Sequence, residues 1–241
     1  MAVALVPLKD LVEAKTRLAG LLRPSERRAL AQAMVEDVLA VLASHPEISR
    51  VVLLSDDPGA HLLAENYGAE YWPETGFSGI GLNALLTEAA QRLLDQGCEA
   101  LVILHGDLPL LRAEDITAVV REHRAGSELL IGCDRAGSGT NLLVLDRATL
   151  PGFHFGEGSC ALHLAAARQA GIPARVVKRQ GIGLDVDEPA DLVALLPELE
   201  GCPERRTARM FSHGGLIERI GPALDSLQTT AEEIDEESRA G

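Results

Sequence analysis

The sequence predicts an α/β fold built on an open, mostly parallel, doubly wound sheet, and three observations carry that prediction. Short apolar runs alternate with amphipathic stretches along nearly the whole chain. Of the 241 residues 46% are hydrophobic but only 3% aromatic, so the core must be built from Leu, Val, Ile and Ala. Such cores suit sheets covered by helices. The run Ala100-Leu101-Val102-Ile103-Leu104 has no polar position, as expected of a strand at the sheet centre.

The elements follow in order. Residues 3–8 read as a buried first strand. Ser25 is placed to cap a helix whose apolar positions Leu30, Met34, Val38 and Leu42 recur every four residues. Residues 51–54 form a second strand that runs into Ser55-Asp56-Asp57-Pro58, and a helix passes through Leu62 and Leu63. A short strand lies near 69–71, a helix spans 81–94, and the central strand spans 100–104. Another helix covers 116–123. Residues 129–133 and 141–145 read as strands close together, 159–170 as a helix and 174–178 as a final strand. Residues 188–196 form a last helix, entered through Asp187 and Pro189.

This pattern places one domain at 1–197 and a C-terminal extension at 198–241. A short helix is compatible with 216–227, whereas 230–241 is dominated by Glu and Asp and reads as a disordered acidic tail.

Composition excludes several classes of function. The net charge of −14 leaves no basic stripe for nucleic acid and argues against docking on anionic lipid. No apolar run reaches membrane-spanning length, and the opening apolar run is cut short by Pro7, so no signal peptide is expected and the cytoplasm is the default address. Cys98, Cys133, Cys160 and Cys202 form no C-x-x-C pair and are expected to be ordinary thiols rather than a disulfide or zinc framework. Oligomeric state is not specified, and a homodimer is compatible with the sequence.

In doubly wound sheets ligands bind beyond the carboxyl ends of the strands, so residues just after strands carry the functional weight. After the first strand, Lys9, Lys15 and Arg17 put three cations into nine residues of an acidic chain. A triphosphate calls for such a cluster, although a solvated loop would also hold these residues. After the central strand comes His105-Gly106-Asp107-Leu108-Pro109. Gly106 permits an unusual turn there, and Asp107 is the natural ligand for Mg²⁺, which takes carboxylate and phosphate oxygens. His105 reads as structural. Asp185 and Asp187, two apart, face the same way in an extended segment, and one of them could meet Asp107 across a metal. One of these acids is also expected to cap the last helix.

Phe155-Gly156-Glu157-Gly158-Ser159 opens a helix where free N–H groups would bind an anion, and Thr140 could add a hydroxyl from a neighbouring strand. Gly79-Ile80-Gly81-Leu82-Asn83-Ala84 fits a dinucleotide fingerprint but follows no strand, so a dehydrogenase is rejected. Asn83 is placed instead to read a nucleobase edge.

Together these pieces resemble the CofC/FbiD guanylyltransferases, which make the phosphoacid-guanosine diphosphate precursor of the deazaflavin coenzyme F-420. The resemblance rests on Pro7-Leu8-Lys9, Ala14-Lys15-Thr16-Arg17-Leu18, Ser55-Asp56-Asp57, Gly81-Leu82-Asn83, Gly106-Asp107-Leu108-Pro109, Gly139-Thr140, Phe155-Gly156 with Gly158-Ser159, and Asp185-Val186-Asp187. It covers residues 1–197. The wider superfamily has a G-x-G-x-R loop after strand one, and the Lys/Arg loop stands in its place.

The resemblance implies a three-layer sheet of the nucleotide-diphospho-sugar transferase type. It implies GTP as donor and phosphoenolpyruvate, 3-phosphoglycerate or 2-phospholactate as acceptor. It assigns catalysis to Lys9, Lys15, Arg17 and Asp107, nucleotide contacts to Lys9, Asp56 and Asn83, and acceptor contacts to Thr140, Gly156 and Ser159. Mg²⁺ falls to Asp107 with Asp185 and Asp187. The alternatives are a cytidylyl- or molybdopterin-type transferase and a non-catalytic nucleotide-binding module.

Overall fold

Strand β1, Ala2–Pro7, sends Ala2, Ala4 and Val6 to one face of the sheet and Val3 and Leu5 to the other. This is the two-residue period of an extended chain with both faces covered. The computed structural model describes residues 1–11, 14–213 and 215–240, with side chains as far as Thr229. Among these residues seven strands form one sheet. The remaining strands are β2 (Ile48–Leu54), β3 (Glu70–Trp72), β4 (Ala100–Leu104), β5 (Leu129–Cys133), β6 (Thr140–Leu145) and β7 (Ala174–Val177). Their spatial order is β3-β2-β1-β4-β6-β5-β7, so the wholly apolar β4 lies at the centre, as its composition predicts.

Every neighbouring pair is parallel except those of β6, which runs against both β4 and β5. The reversal has a spatial effect. The first residue of β6, Thr140, comes to the same edge of the sheet as the end of β4, where Asp107 follows. Sequence periodicity could not reveal it, because 142–145 are apolar on both faces and carry no direction.

Helices cover both faces. On one side α1 (Pro24–Ala43), α2 (Ala60–Tyr67) and α4 (Ala113–Gly126) bury Val35, Val38, Leu39, Leu63, Ile116 and Val120 against β1 and β4. On the other, α3 (Leu82–Asp95) and α5 (Ser159–Gln169) bury Leu86, Leu93 and Ala167. Full burial of each such Leu or Ile contributes about 1.5–3 kcal/mol. A one-turn helix, α6 (Gln180–Gly183), leads to α7 (Pro189–Leu199).

Two caps differ from expectation. The start of α1 is set by Arg23, followed by Pro24 in the first turn, and the Arg23 N–H donates to Glu26 at 2.7 Å, so Ser25 is already inside the helix. The cap of α7 is Glu188. Its N–H and that of Asp187 donate to the Asp191 carboxylate at 2.8 and 2.9 Å. Asp185 and Asp187 are thereby released from capping.

The C-terminal extension is packed where it can be described. Helix α8 (Arg206–Ser212) and the start of α9 (Leu216–Ala240) join α1 and α7 in a third apolar cluster containing Met34, Leu195, Phe211, Leu216, Ile220 and Leu224. The Asp37 carboxylate on α1, buried, accepts the N–H groups of Arg206 and Thr207 at 2.8 and 3.0 Å and so caps α8. The acidic stretch read as a tail continues the helical backbone of α9 to Ala240; its side chains and Gly241 lie outside the described residues.

Cys133 at the end of β5 and Cys160 in the first turn of α5 are joined as a disulfide, which corrects the expectation of ordinary thiols. Their separation of 27 residues has no local signature. No helix among the described residues is long and apolar enough to cross a membrane.

Candidate active site

The carboxyl ends of β1 and β4 open into a cavity of about 560 Å³, lined among others by Leu8, Lys9, Lys15, Leu82, His105, Asp107 and Asp187. Two buried strands ending side by side create this crevice, and the loops that leave them supply its polar groups.

Lys15 is the centre of the site. Its backbone sits at φ 55° and ψ 41°, in the left-handed region that few non-glycine residues adopt. Its side chain is nearly buried, and Nζ donates to Asp107 Oδ2 at 2.5 Å and to Asp187 Oδ1 at 2.8 Å. Burial alone would lower the Lys15 pKa, but the Asp107 and Asp187 carboxylates override it and raise it above the usual lysine range. The same ammonium outweighs burial at Asp107 and holds that carboxyl below its ordinary value. Strain at Lys15 is thus retained where two long-range ion pairs over-determine it.

Gly106 has an ordinary backbone conformation, contrary to the expected unusual turn. A side chain there would press on α1, because its Cβ would lie 3.0 Å from Val35, which would have to give way. This tight seat brings the β4 exit onto α1 and aims Asp107 into the cavity. Asp107 Oδ1 is buried and has no hydrogen-bond partner, and neither has His105 Nε2 beside it. Burial depresses the His105 pKa and keeps its ring neutral.

Asp185 and Asp187 come to this edge on the segment after α6. The Asn141 amide, buried at the start of β6, donates to Asp185 Oδ1 at 3.0 Å and to the Ile182 carbonyl at 2.9 Å. Burial and the neighbouring Asp107 and Asp187 charges push the Asp185 pKa up to about 6. Among the described residues no three Asp, Glu, His or Cys side chains converge as a metal cage. The expected trio of Asp107, Asp185 and Asp187 therefore does not form one, and the Lys15 ammonium stands between two of its members.

The other predicted residues divide. Lys9 is exposed and lines the cavity. Arg17 does not line it; it is largely exposed and pairs with Glu188 at 2.7 Å. Asp56 is turned away to a structural duty, accepting the Glu74 N–H at 2.8 Å and holding a 3-10 turn. Asn83 also departs from expectation: its amide donates to the Phe155 carbonyl at 3.0 Å and accepts the Phe155 N–H at 2.7 Å.

Thr140, Gly156 and Ser159 are brought together around His163 of α5. Thr140 Oγ1 lies 3.1 Å from His163 Nδ1, and the Ser159 N–H donates to the Gly156 carbonyl at 3.2 Å. Gly156 at φ 133° and Gly158 at φ 66° give this loop a course that other residues would rarely follow. Phe155 joins the two regions, its ring 5.3 Å from that of His105 and 5.1 Å from that of His163.

Three supporting residues escape local reading. Asp57, buried at the exit of β2, accepts the N–H of Leu11 at 2.8 Å and tethers the cationic loop. Asn141 was visible only as a lone amide beside an apolar run. The Arg205 guanidinium, 96 residues from its farther partner, donates to the carbonyls of Pro109 and Leu111 at 2.5 and 2.7 Å. A second cavity, about 430 Å³, is lined in part by Arg135, Lys178 and Arg179. Two of those cations are matched by Asp191 and Asp115.

Known proteins resemble this chain in sequence and in fold. Residues 2–208 match the family model described as guanylyl transferase CofC like. A phosphoenolpyruvate guanylyltransferase of Rubrobacter xylanophilus is 38% identical over 80% of this chain and 92% of its own. One from Roseiflexus sp. is 34% identical over 92% and 94% of the two chains. Among solved structures, a nucleotide-diphospho-sugar transferase from Desulfovibrio desulfuricans superposes with a TM-score of 0.75 at 17% identity, covering 94% of this chain and 98% of that one. A cytidylyltransferase from Leptospira borgpetersenii gives 0.57 at 13% identity, over 92% and 95%. These two show the shared fold: a mostly parallel sheet between helical layers.

Proposed function

The chain belongs to the CofC-like guanylyl transferase family, and from that premise we propose that it transfers GMP from GTP to the phosphate of a small phosphorylated acid, with release of pyrophosphate. The observation that carries this reading to the site is Lys15, buried between Asp107 and Asp187 at the mouth of the cavity. The names of the relatives put phosphoenolpyruvate first among acceptors, ahead of 3-phosphoglycerate and 2-phospholactate.

The chemistry asks little of proton transfer. An oxygen of the acceptor phosphate attacks the α-phosphorus of GTP, the bond to the bridging oxygen breaks, and pyrophosphate leaves with the electron pair. The nucleophile is ionised at neutral pH, so no general base is required. The difficulty is bringing two polyanions together, with about 4 kcal/mol of repulsion for each pair of unit charges 4 Å apart at an effective dielectric of 20. Lys9 and Lys15 offset part of it and orient the triphosphate. Arg17, paired at the surface, is left out of this role. Thr140, Gly156 and Ser159 receive the anionic groups of the acceptor.

A divalent cation fits the residues present. Asp107 offers a buried oxygen with no partner, and Asp185, whose pKa burial and the neighbouring carboxylates raise, accepts the Asn141 amide on Oδ1. Mg²⁺ takes one or two carboxylates with substrate phosphates rather than a full protein cage, which suits a site without three converging acids. Asp107 would hold it with Asp185 or Asp187. When bound it would neutralise charge on the phosphates.

We place the reaction in the cytoplasm, where a deazaflavin coenzyme F-420 precursor would be assembled. The test is an acceptor panel with GTP and Mg²⁺, product identified by mass. Failure with all three acids would refute the proposal, and preferential use of CTP would move the chain to the cytidylyl type. Asp107→Ala should abolish turnover in a folded protein.

A further inference from the structure

Asn83 lies at the start of α3, one residue after Leu82, which lines the cavity. Its amide is used in both directions by one backbone unit, that of Phe155, at 3.0 and 2.7 Å. This reciprocal pair resembles a single rung of a β-ladder made by a side chain, across a sequence separation of 72 residues. It holds the chain just before Gly156 and Gly158, where two flexible residues would otherwise leave the loop to Ser159 free to wander.

Phe155 is more than an anchor. Its ring is buried and meets both the His105 ring of the cavity, at 5.3 Å, and the His163 ring, at 5.1 Å. His163 in turn meets Thr140 at 3.1 Å. The Asn83 clasp therefore holds the residue whose ring touches both the cavity and the Thr140–Ser159 corner.

We propose that Asn83 is a positioning residue for the phosphoacid acceptor: through its two bonds to Phe155 it holds the Gly156–Ser159 loop in register with the Asp107 cavity. This rests on the transferase reading above. The competing role, contact with the edge of the nucleobase, would be left with one N–H and one lone pair on an amide whose orientation Phe155 already fixes. A displaced acceptor loop costs rate because the attacking oxygen must meet the α-phosphorus in line.

The experiment compares the wild-type chain with Asn83→Ala and Asn83→Asp. It reads steady-state kinetics with GTP and phosphoenolpyruvate, together with amide hydrogen exchange across residues 153–158 without substrates. Asn83→Ala should raise the acceptor KM about ten-fold or more and speed exchange at Phe155, while the GTP KM changes by less than about two-fold. Asn83→Asp keeps the bond from the Phe155 N–H and should fall between wild type and Ala. A rise in the GTP KM or a change of base preference, with the acceptor KM unmoved, would overturn the proposal in favour of base contact. Equal rises in both KM values, or no change in either, would overturn it as well. Unchanged exchange at Phe155 would refute the clasp itself. No turnover by the wild-type chain would count against the transferase reading instead, so the two failures are distinguishable.

Discussion

The Arg205 guanidinium donates to the Pro109 carbonyl at 2.5 Å, two residues beyond Asp107, and so a side chain from the C-terminal extension steadies the loop that carries the central carboxylate. Nη2 takes the Leu111 carbonyl at 2.7 Å. Replacing Arg205 by Ala removes two charge-assisted bonds and leaves a buried carbonyl in need of water. It should destabilise the protein by about 2 kcal/mol and lower Tm by roughly 4–8 °C. Lysine should not restore it, because a point charge cannot span both carbonyls. Differential scanning calorimetry of the two variants checks this, and a Tm at the wild-type value would rule out the bracing role.

Lys15→Met keeps most of the packing and removes the charge. Loss of the ammonium from between Asp107 and Asp187 should lower kcat/KM by about 100-fold or more, comparable with removal of one preorganised donor. Because the Lys15 pKa is raised, its stabilising charge is fully present below the unfolded value of 10.5 and is lost only as pH climbs through the higher folded value. No alkaline limb from Lys15 is expected in a rate profile between pH 6 and 9. Pyrophosphate release across that range tests both statements.

His163 gives the opposite dependence. Burial, aided by the nearby His154, lowers its pKa from 6.5 to about 4. The folded protein keeps the ring neutral while the unfolded chain takes up a proton, so stability is intact above pH 6.5 and falls as pH drops towards 4. The loss reaches about 3 kcal/mol at most. Urea midpoints at pH 7 and pH 4.5 should separate accordingly, and His163→Gln should narrow the gap. An equal gap in wild type and variant would assign the effect to other groups.

The Cys133–Cys160 bond can be counted. Denatured without reductant, the chain should expose two thiols, those of Cys98 and Cys202; four would disprove the pairing. Closing a loop of this length should stabilise the folded state by about 3–4 kcal/mol. Thermal melts with and without dithiothreitol measure that contribution.

Much of this architecture was legible in the residues themselves. The central place of β4, the crevice at its end, Asp107 and the Lys9–Lys15 loop all follow from apolar patterning and from where strands stop. What stayed hidden depends on partners distant in sequence. Arg17 and Lys15 look alike in the chain, yet one meets Glu188 at the surface and the other is buried between two carboxylates. Asp56 and Asn83 carry the polar groups a nucleotide would want, and tertiary structure has given them backbone to hold. Packing of α8 and α9 was obscured by the polar stretch 201–209, whose anchor, Asp37, lies on α1.

The reversed strand β6 has one more implication. It is reached from β5 through a turn in which Asp134 accepts the N–H groups of Ser138 and Gly139, each at 2.8 Å. Adding or deleting one residue between 134 and 139 would turn Thr140 to the opposite face of the sheet, away from His163. Homologous chains can lengthen most of their surface connections at little cost, but here an insertion would uncouple Thr140 from the edge that carries Asp107. On the transferase reading proposed above, gaps in an alignment of relatives at this turn are expected in members that take a different acceptor.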